Sequence, residues 1–91
     1  MTDFTGKGMM WSTNVKAAIA ITEPRSKNVE GIRESFKSHG FIVKPQDQDY
    51  SNTVAYLKSL DWIKETKDAY ILTEKGKKEV EKYKNLPWYL H

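Results

Sequence analysis

No cysteine occurs among the 91 residues of this chain. Without thiols, neither a disulfide framework nor a thiolate metal site can hold the fold together. A chain of this length forms one domain with a modest core and little surplus stability. The stability must therefore come from apolar packing. The hydrophobic residues, 38% of the total, and the aromatic residues, 12%, predict a folded domain and not a disordered segment.

Proline and glycine divide the first half of the chain into two helices. The first helix is predicted from about Ser12 to Thr22 and ends before Pro24, because the residue before a proline is pushed away from helical dihedrals. The second is predicted from about Lys27 to Ser38, with Gly40 as a left-handed C-terminal cap. Helical spacing assigns the buried positions to Val15, Ala18, Ile19 and Thr22 (widened by Ala17 and Ile21), and to Val29, Ile32 and Phe36.

The second half alternates between helical and extended patterns. After a short extended run over residues 41–44, a third helix is predicted from about Ser51 to Leu60, capped by Asp49 or Ser51. Residues 62–72 have the mixed, alternating pattern of a β-hairpin. Thr73 then caps a last helix from Glu74 to about Asn85. The inward positions are Tyr50, Val54, Leu57 and Leu60 in the third helix, and Val80 and Tyr83, with Gly76 on the same side, in the last.

Two spaced patterns frame the hairpin. The first is formed by Leu57, Leu60 and Ile63, and the second by Tyr70, Leu72, Thr73 and Gly76. Over about residues 50–80 the chain resembles the recognition helix, wing hairpin and following helix of winged helix-turn-helix DNA-binding domains. The glycine fits a helix that approaches a neighbour closely. In compact members three or four residues join the two helices. Here residues 40–49 separate them, so either the turn is expanded or the helices pair differently.

The resemblance implies a fold and a division of the chain. The expected class is α+β and mostly helical: a winged helix with a three-helix core, a C-terminal β-hairpin wing and a following C-terminal helix. The expected domain covers residues 11–86, after a flexible lead-in at 1–10 and before an aromatic tail at 87–91. The expected partner is double-stranded DNA, with the third helix in the major groove and the wing on the phosphate backbone.

The DNA-contacting residues follow from that docking. The outward positions of the third helix would contact bases or phosphates, with Asn52 able to pair with adenine. Lys58 is better placed for phosphate, the wing lysines for flanking phosphates, and Lys27 lies near a helix start that favours phosphate. The full expected set is Lys27, Ser51, Asn52, Ala55, Tyr56, Lys58, Ser59, Lys64 and Lys67. An ordinary solvated helix face and a hairpin with cross-strand charge pairs explain the same residues, and both alternatives stay open.

Charge and chemistry narrow the function classes. The net charge of +3, from 15 basic and 12 acidic side chains, permits nucleic-acid binding without demanding it. Two histidines without cysteine do not make a zinc site, and neither a phosphate-cradling glycine loop nor a nucleophile elbow is present. We expect no catalysis, no cofactor and no metal. No apolar run reaches the ~20 residues of a membrane span, so a cytoplasmic protein is expected.

Three functions remain from the sequence. The leading one is a DNA-binding transcriptional regulator. The second is a protein–protein interaction module on a winged-helix scaffold, with a homodimer or a protein partner held by the C-terminal helix and the aromatic tail. The third is a DNA-recognition subdomain of a DNA-processing enzyme such as a restriction nuclease.

Overall fold

The computed structural model describes residues 11–42 and 50–86. Within these ranges the chain forms four helices and a two-stranded antiparallel sheet, a small α+β fold that is mostly helical. The elements in chain order are α1 (Trp11–Thr22), α2 (Val29–Ser38), α3 (Ser51–Ser59), β1 (Ile63–Glu65), β2 (Tyr70–Leu72) and α4 (Glu74–Lys84). The predicted lead-in at 1–10, the tail at 87–91 and the rest of the extended run, 43–44, lie outside the described residues.

α1 lies at the centre of the fold and packs against α2, α3, α4 and β2. This position corrects the predicted buried face. Ile19 and Thr22 are only partly buried, whereas Ala20 and Ile21 are fully enclosed and even Asn14 is buried. A helix that is covered on several sides has no single wet face, so helical spacing alone misplaces its centre.

α2 begins at Asn28, whose side chain caps the helix by accepting a hydrogen bond from the Gly31 N–H at 3.1 Å. Val29 is 38% exposed, so the prediction that it belongs to the buried stripe is wrong. It is the first residue of the helix and projects beyond the core, whereas Ile32 and Phe36 are buried as predicted.

The C-terminus of α2 is a left-handed turn at Gly40, with φ +85°, as predicted. The Phe41 N–H donates to the Phe36 carbonyl and the Gly40 N–H to the Lys37 carbonyl, each at 3.0 Å. These two bonds form a Schellman motif, which reverses the chain at the helix end. Phe41 and Ile42, the two described residues of the predicted extended run, belong to no strand.

Tyr50 precedes α3 and makes no side-chain cap hydrogen bond, so the predicted cap at Ser51 is wrong; Asp49 lies outside the described residues. The start of α3 is fixed by packing instead. The Tyr50 ring is buried and stacks on Phe36 with ring centroids 4.9 Å apart. This aromatic pair joins α2 to the residue before α3 across residues 43–49. α3 itself packs against α1.

Candidate nucleic-acid interface

The hairpin leaves α3 through a sharp turn at Asp61, which has a φ of +61°. The Trp62 N–H donates to the Leu57 carbonyl at 3.1 Å, and the Asp61 N–H to the Lys58 carbonyl at 2.9 Å. This is a second Schellman motif, with aspartate where glycine is usual. The turn brings β1 directly alongside the end of α3.

The return of the hairpin into α4 is equally fixed. Thr73 caps α4 by accepting from the Gly76 N–H at 3.0 Å, and its own N–H donates to the Trp62 carbonyl at 3.0 Å. The close approach predicted for Gly76 is confirmed, because a Cβ built there would lie 2.0 Å from the Trp62 carbonyl oxygen. Backbone contacts thus determine where the hairpin stands relative to α3.

The two strands pair in one register, with Ile63 opposite Leu72, Lys64 opposite Ile71 and Glu65 opposite Tyr70. At the tip, the Thr66 hydroxyl donates to the Ala69 carbonyl at 2.9 Å and accepts from the Ala69 N–H at 3.1 Å. The hairpin predicted over residues 62–72 is therefore confirmed. Its exposed tip carries Lys67.

α3 presents one continuous exposed face. Successive residues are ~100° apart on a helix, so positions four apart share a side. Thr53, Val54 and Leu57 are buried, and the opposite side is exposed: Ser51, Asn52, Ala55, Lys58 and Ser59. The structure thus brings the predicted α3 residues together on one surface, with Tyr56 at its margin.

The polar side chains on this face differ in whether they already form hydrogen bonds within the protein. Among the described residues the Asn52 side chain makes no hydrogen bond. The Ser59 hydroxyl donates to the Tyr56 carbonyl of its own helix. Tyr56 is half-buried, and its hydroxyl accepts from the Asn14 amide at 3.5 Å. Asn52 is accordingly the side chain of α3 best prepared to meet a base edge.

The predicted lysines fall into two groups. Lys64 and Lys67 are exposed on the hairpin and form no ion pair within the described part of the chain. Lys27 and Lys58 instead meet at one carboxylate: the Lys27 Nζ lies 2.6 Å from Glu65 Oε2, and the Lys58 Nζ 2.8 Å from Glu65 Oε1. We name these three side chains the Glu65 clamp.

The clamp has a marked electrostatic signature. Hydrogen bonds from Lys27 and then Lys58 lower the pKa of the Glu65 carboxyl to about 2, and the bond to Glu65 raises the pKa of Lys58. The Lys27 ammonium also lies 5.7 Å from the centre of the Tyr70 ring, within cation–π range. Sequence reasoning missed this arrangement, because Lys27 and Glu65 are 38 positions apart and only the fold joins them.

Three further features of the described residues bear on other functions: an ion pair of His39, the spacing of metal-ligating side chains and the length of the helices. His39 follows α2 and its Nε2 lies 2.6 Å from Glu23 Oε2, so that its ring joins the end of α2 to the residue after α1. Within residues 11–42 and 50–86 no group of three or more histidine, aspartate and glutamate side chains is placed to hold a metal ion. None of the helices in these ranges has the length and apolar character to span a bilayer.

Comparison with protein-family models, with curated proteins and with solved structures finds no match for this chain. A function for this chain must therefore be inferred from the geometry of α3, the hairpin and the Glu65 clamp.

Proposed function

We propose that this chain is a winged-helix domain that binds duplex DNA as a transcriptional regulator, with α3 in the major groove and the hairpin as a wing on the phosphate backbone. One observation carries the proposal: the exposed face of α3 stands beside a hairpin whose lysines, Lys64 and Lys67, have no acidic partner among the described residues. A helix with a polar face fits a major groove, and free ammonium groups suit phosphates.

The order of elements supports the same proposal. In the described part of the chain three helices precede the hairpin and one follows it, which is the layout expected of the family that the sequence resembles. Contacts in this mode divide into two classes: Asn52 and its neighbours would meet base edges, and the lysines would meet phosphates. The proposal assigns no catalytic step to the chain.

An NMR titration with a mixed-sequence duplex tests the site. Amide shifts concentrated in residues 51–59 and 64–70 would support the proposed orientation. Binding should also weaken steeply with added salt, since each phosphate contact contributes ~0.9 to the slope of log K against log salt. A flat salt response, or shifts spread evenly over the molecule, would remove the proposal.

A pair of double variants sharpens this test. Replacing Lys64 and Lys67 by alanine should reduce the salt slope by up to about 1.8, because two phosphate contacts are lost. The matched control replaces Lys78 and Lys84, two exposed lysines of α4, and removes the same charge away from α3. Equal effects of the two double variants would show that the wing makes no specific contact.

A second candidate function is peptide binding, and the outer edge of β2 favours it. The Thr73 N–H donates to the Trp62 carbonyl and the Thr66 N–H to the Ala69 carbonyl. Hydrogen-bonded and non-hydrogen-bonded pairs alternate along an antiparallel ladder. The backbone groups of Tyr70 and Leu72 therefore point away from β1. On that side they form no backbone hydrogen bond among the described residues.

An open groove of about 430 Å³ runs beside this edge, lined by Thr22, Arg25, Ile71, Leu72 and Lys77. A free strand edge accepts an extended peptide, and the two cations favour an acidic one. Binding of an acidic peptide that shifts the amides of Tyr70 and Leu72, and is lost in Arg25→Glu/Lys77→Glu, would support this candidate. Absence of such binding, together with duplex binding at α3, would exclude it.

A further inference from the structure

Two lysines from distant parts of the chain converge on one anion in the Glu65 clamp. Lys27 immediately precedes the cap of α2, and Lys58 lies in the last turn of α3. Each ammonium takes a different oxygen of the carboxylate, at 2.6 and 2.8 Å. An arrangement in which two cations share the two oxygens of one group is that of an anion-binding site, here filled by a side chain of the same protein.

The site is open to an outside anion. The side chains of Lys27, Lys58 and Glu65 are 33%, 42% and 41% exposed, so solvent reaches all three. The Tyr70 ring beside the Lys27 ammonium helps to keep that cation in place when its partner changes. A phosphodiester, like a carboxylate, presents two negatively charged oxygens on one central atom, and both groups accept the same charge-assisted hydrogen bonds.

The position of the clamp links it to the proposed DNA-binding face. Lys58 belongs to α3 and is exposed on the same side as Asn52 and Ser59. Glu65 is the last residue of β1, next to the hairpin tip that carries Lys67. A duplex lying on α3 and the tip would therefore bring its backbone towards both lysines of the clamp.

We propose that Glu65 occupies, in the free protein, a phosphate site formed by Lys27 and Lys58, and that a DNA phosphodiester displaces it on binding. This inference rests on the proposed DNA-binding function. Glu65 therefore competes with DNA for the two lysines. It pairs with both ammonium groups until a phosphate replaces it, and it is then an unpaired anion close to the DNA backbone. Both effects lower the affinity for DNA.

The test is fluorescence anisotropy with a labelled mixed-sequence duplex over a range of salt concentrations. Glu65→Gln should bind about three- to tenfold more tightly than the wild type near 0.1 M salt, and its salt slope should be steeper by about 1. The control is Glu81→Gln, an exposed glutamate of α4 with no ion pair among the described residues, which makes the same change in net charge. It should change neither quantity appreciably.

A thermodynamic cycle assigns the gain to the two lysines. In a Lys27→Ala/Lys58→Ala background, Glu65→Gln should produce a clearly smaller gain, because no cations remain to be released and only the repulsion between the carboxylate and the DNA backbone is relieved. Circular dichroism confirms that each variant is folded, and Glu65→Ala serves as a second variant that also lacks the carboxylate.

The outcomes separate the inference from the function that it deepens. Wild-type protein that binds duplex, together with a Glu65→Gln variant that binds equally or more weakly, would overturn the inference alone, since Glu65 would then be positioning the lysines. A gain that is equally large without the two lysines, or that Glu81→Gln matches, would also overturn it. If neither the wild type nor Glu65→Gln binds duplex, the proposed function fails and the inference fails with it.

Discussion

Replacing Gly76 by alanine should strongly destabilise this domain, although alanine is the better helix former. A Cβ at this position would lie 2.0 Å from the Trp62 carbonyl oxygen and 2.8 Å from the carbonyl carbon. Ordinary van der Waals contact begins near 3.4 Å, so α4 and the start of the hairpin would have to separate by more than 1 Å. The obstacle is backbone and cannot rotate out of the way.

The cost follows from what that separation disrupts. Overpacking of this kind costs ~1–3 kcal/mol. Weakening the hydrogen bond from the Thr73 N–H to the Trp62 carbonyl adds ~1 kcal/mol. The higher helix propensity of alanine returns at most ~1 kcal/mol. With the full return from helix propensity, the net loss is still about 1–3 kcal/mol, to be compared with the ~5–14 kcal/mol expected for a domain of this size. It corresponds to a fall in Tm of about 4–24 °C.

Gly31→Ala is the matched control. Gly31 also lies within a helix, but a Cβ there meets only the Pro24 Cβ at 3.9 Å, an ordinary contact. This variant should gain about 0.5–1 kcal/mol from helix propensity. Urea and thermal unfolding followed by circular dichroism measure both variants. If Gly76→Ala unfolded at or above the wild-type temperature, the close backbone contact would not exist as described.

Three further predictions concern the junctions of the hairpin. Thr73→Ala should lose about 1–2 kcal/mol in urea unfolding, because it removes both the cap of α4 and the hydroxyl bond to the Asp61 carbonyl, and Thr73→Ser should recover most of it; equal losses in the two variants would contradict this. Asp61→Gly should raise the free energy of unfolding by about 1 kcal/mol, since glycine adopts the positive φ without strain, and an unchanged or lower value would count against it. The pKa of Glu65 in the folded protein is about 2 against an ordinary 4.5, so its contribution to the free energy of unfolding is complete above pH 4.5 and is lost as the pH falls towards 2. Acid unfolding of Glu65→Gln should lack that part of the pH dependence. Identical acid-unfolding profiles of the variant and the wild type would refute this prediction.

Local sequence signals were sufficient wherever a single residue determines the backbone. The left-handed turn at Gly40, the cap at Thr73 and the close approach at Gly76 each follow from the chemistry of one side chain or its absence. The hairpin followed from the alternating pattern of residues 62–72, which lies between two helical patterns. These features depend on neighbours in sequence, which is why they could be predicted without the fold.

Burial and helix starts that depend on tertiary contacts were harder to predict from the sequence. Val29 fits the helical spacing of the buried stripe, yet it is 38% exposed as the first residue of α2. Tyr50, and not Ser51, is the N-cap residue of α3, and its ring stacks on Phe36. For α1, central placement buries Ala17 and Ile21 more completely than Ile19. Each of these outcomes is decided by tertiary packing and not by local propensity.

The candidate site shows the same division. The outward residues of α3 followed from helical spacing, because the buried positions identify the opposite face. Which lysines form ion pairs could not be predicted from the sequence, since Lys27 and Lys64 look alike there and only Lys27 pairs with Glu65. A count of charges therefore overestimates the free positive charge of this face.

The hairpin is attached to the rest of the domain by two kinds of bond, and this difference bears on how it would meet DNA. At its base, Trp62, Thr73 and Gly76 are joined by backbone hydrogen bonds and close contact, which salt does not screen. Towards its tip, Glu65 is held by two exposed ion pairs, which salt and phosphate both weaken. In the proposed binding mode, a duplex would therefore replace the ion pairs of Glu65 without disturbing the contacts at the base of the hairpin. The hairpin would then stay at a fixed distance from α3 while Lys27 and Lys58 exchange Glu65 for DNA phosphates. The position of α3 proposed for base contacts would not change when these two lysines change partners.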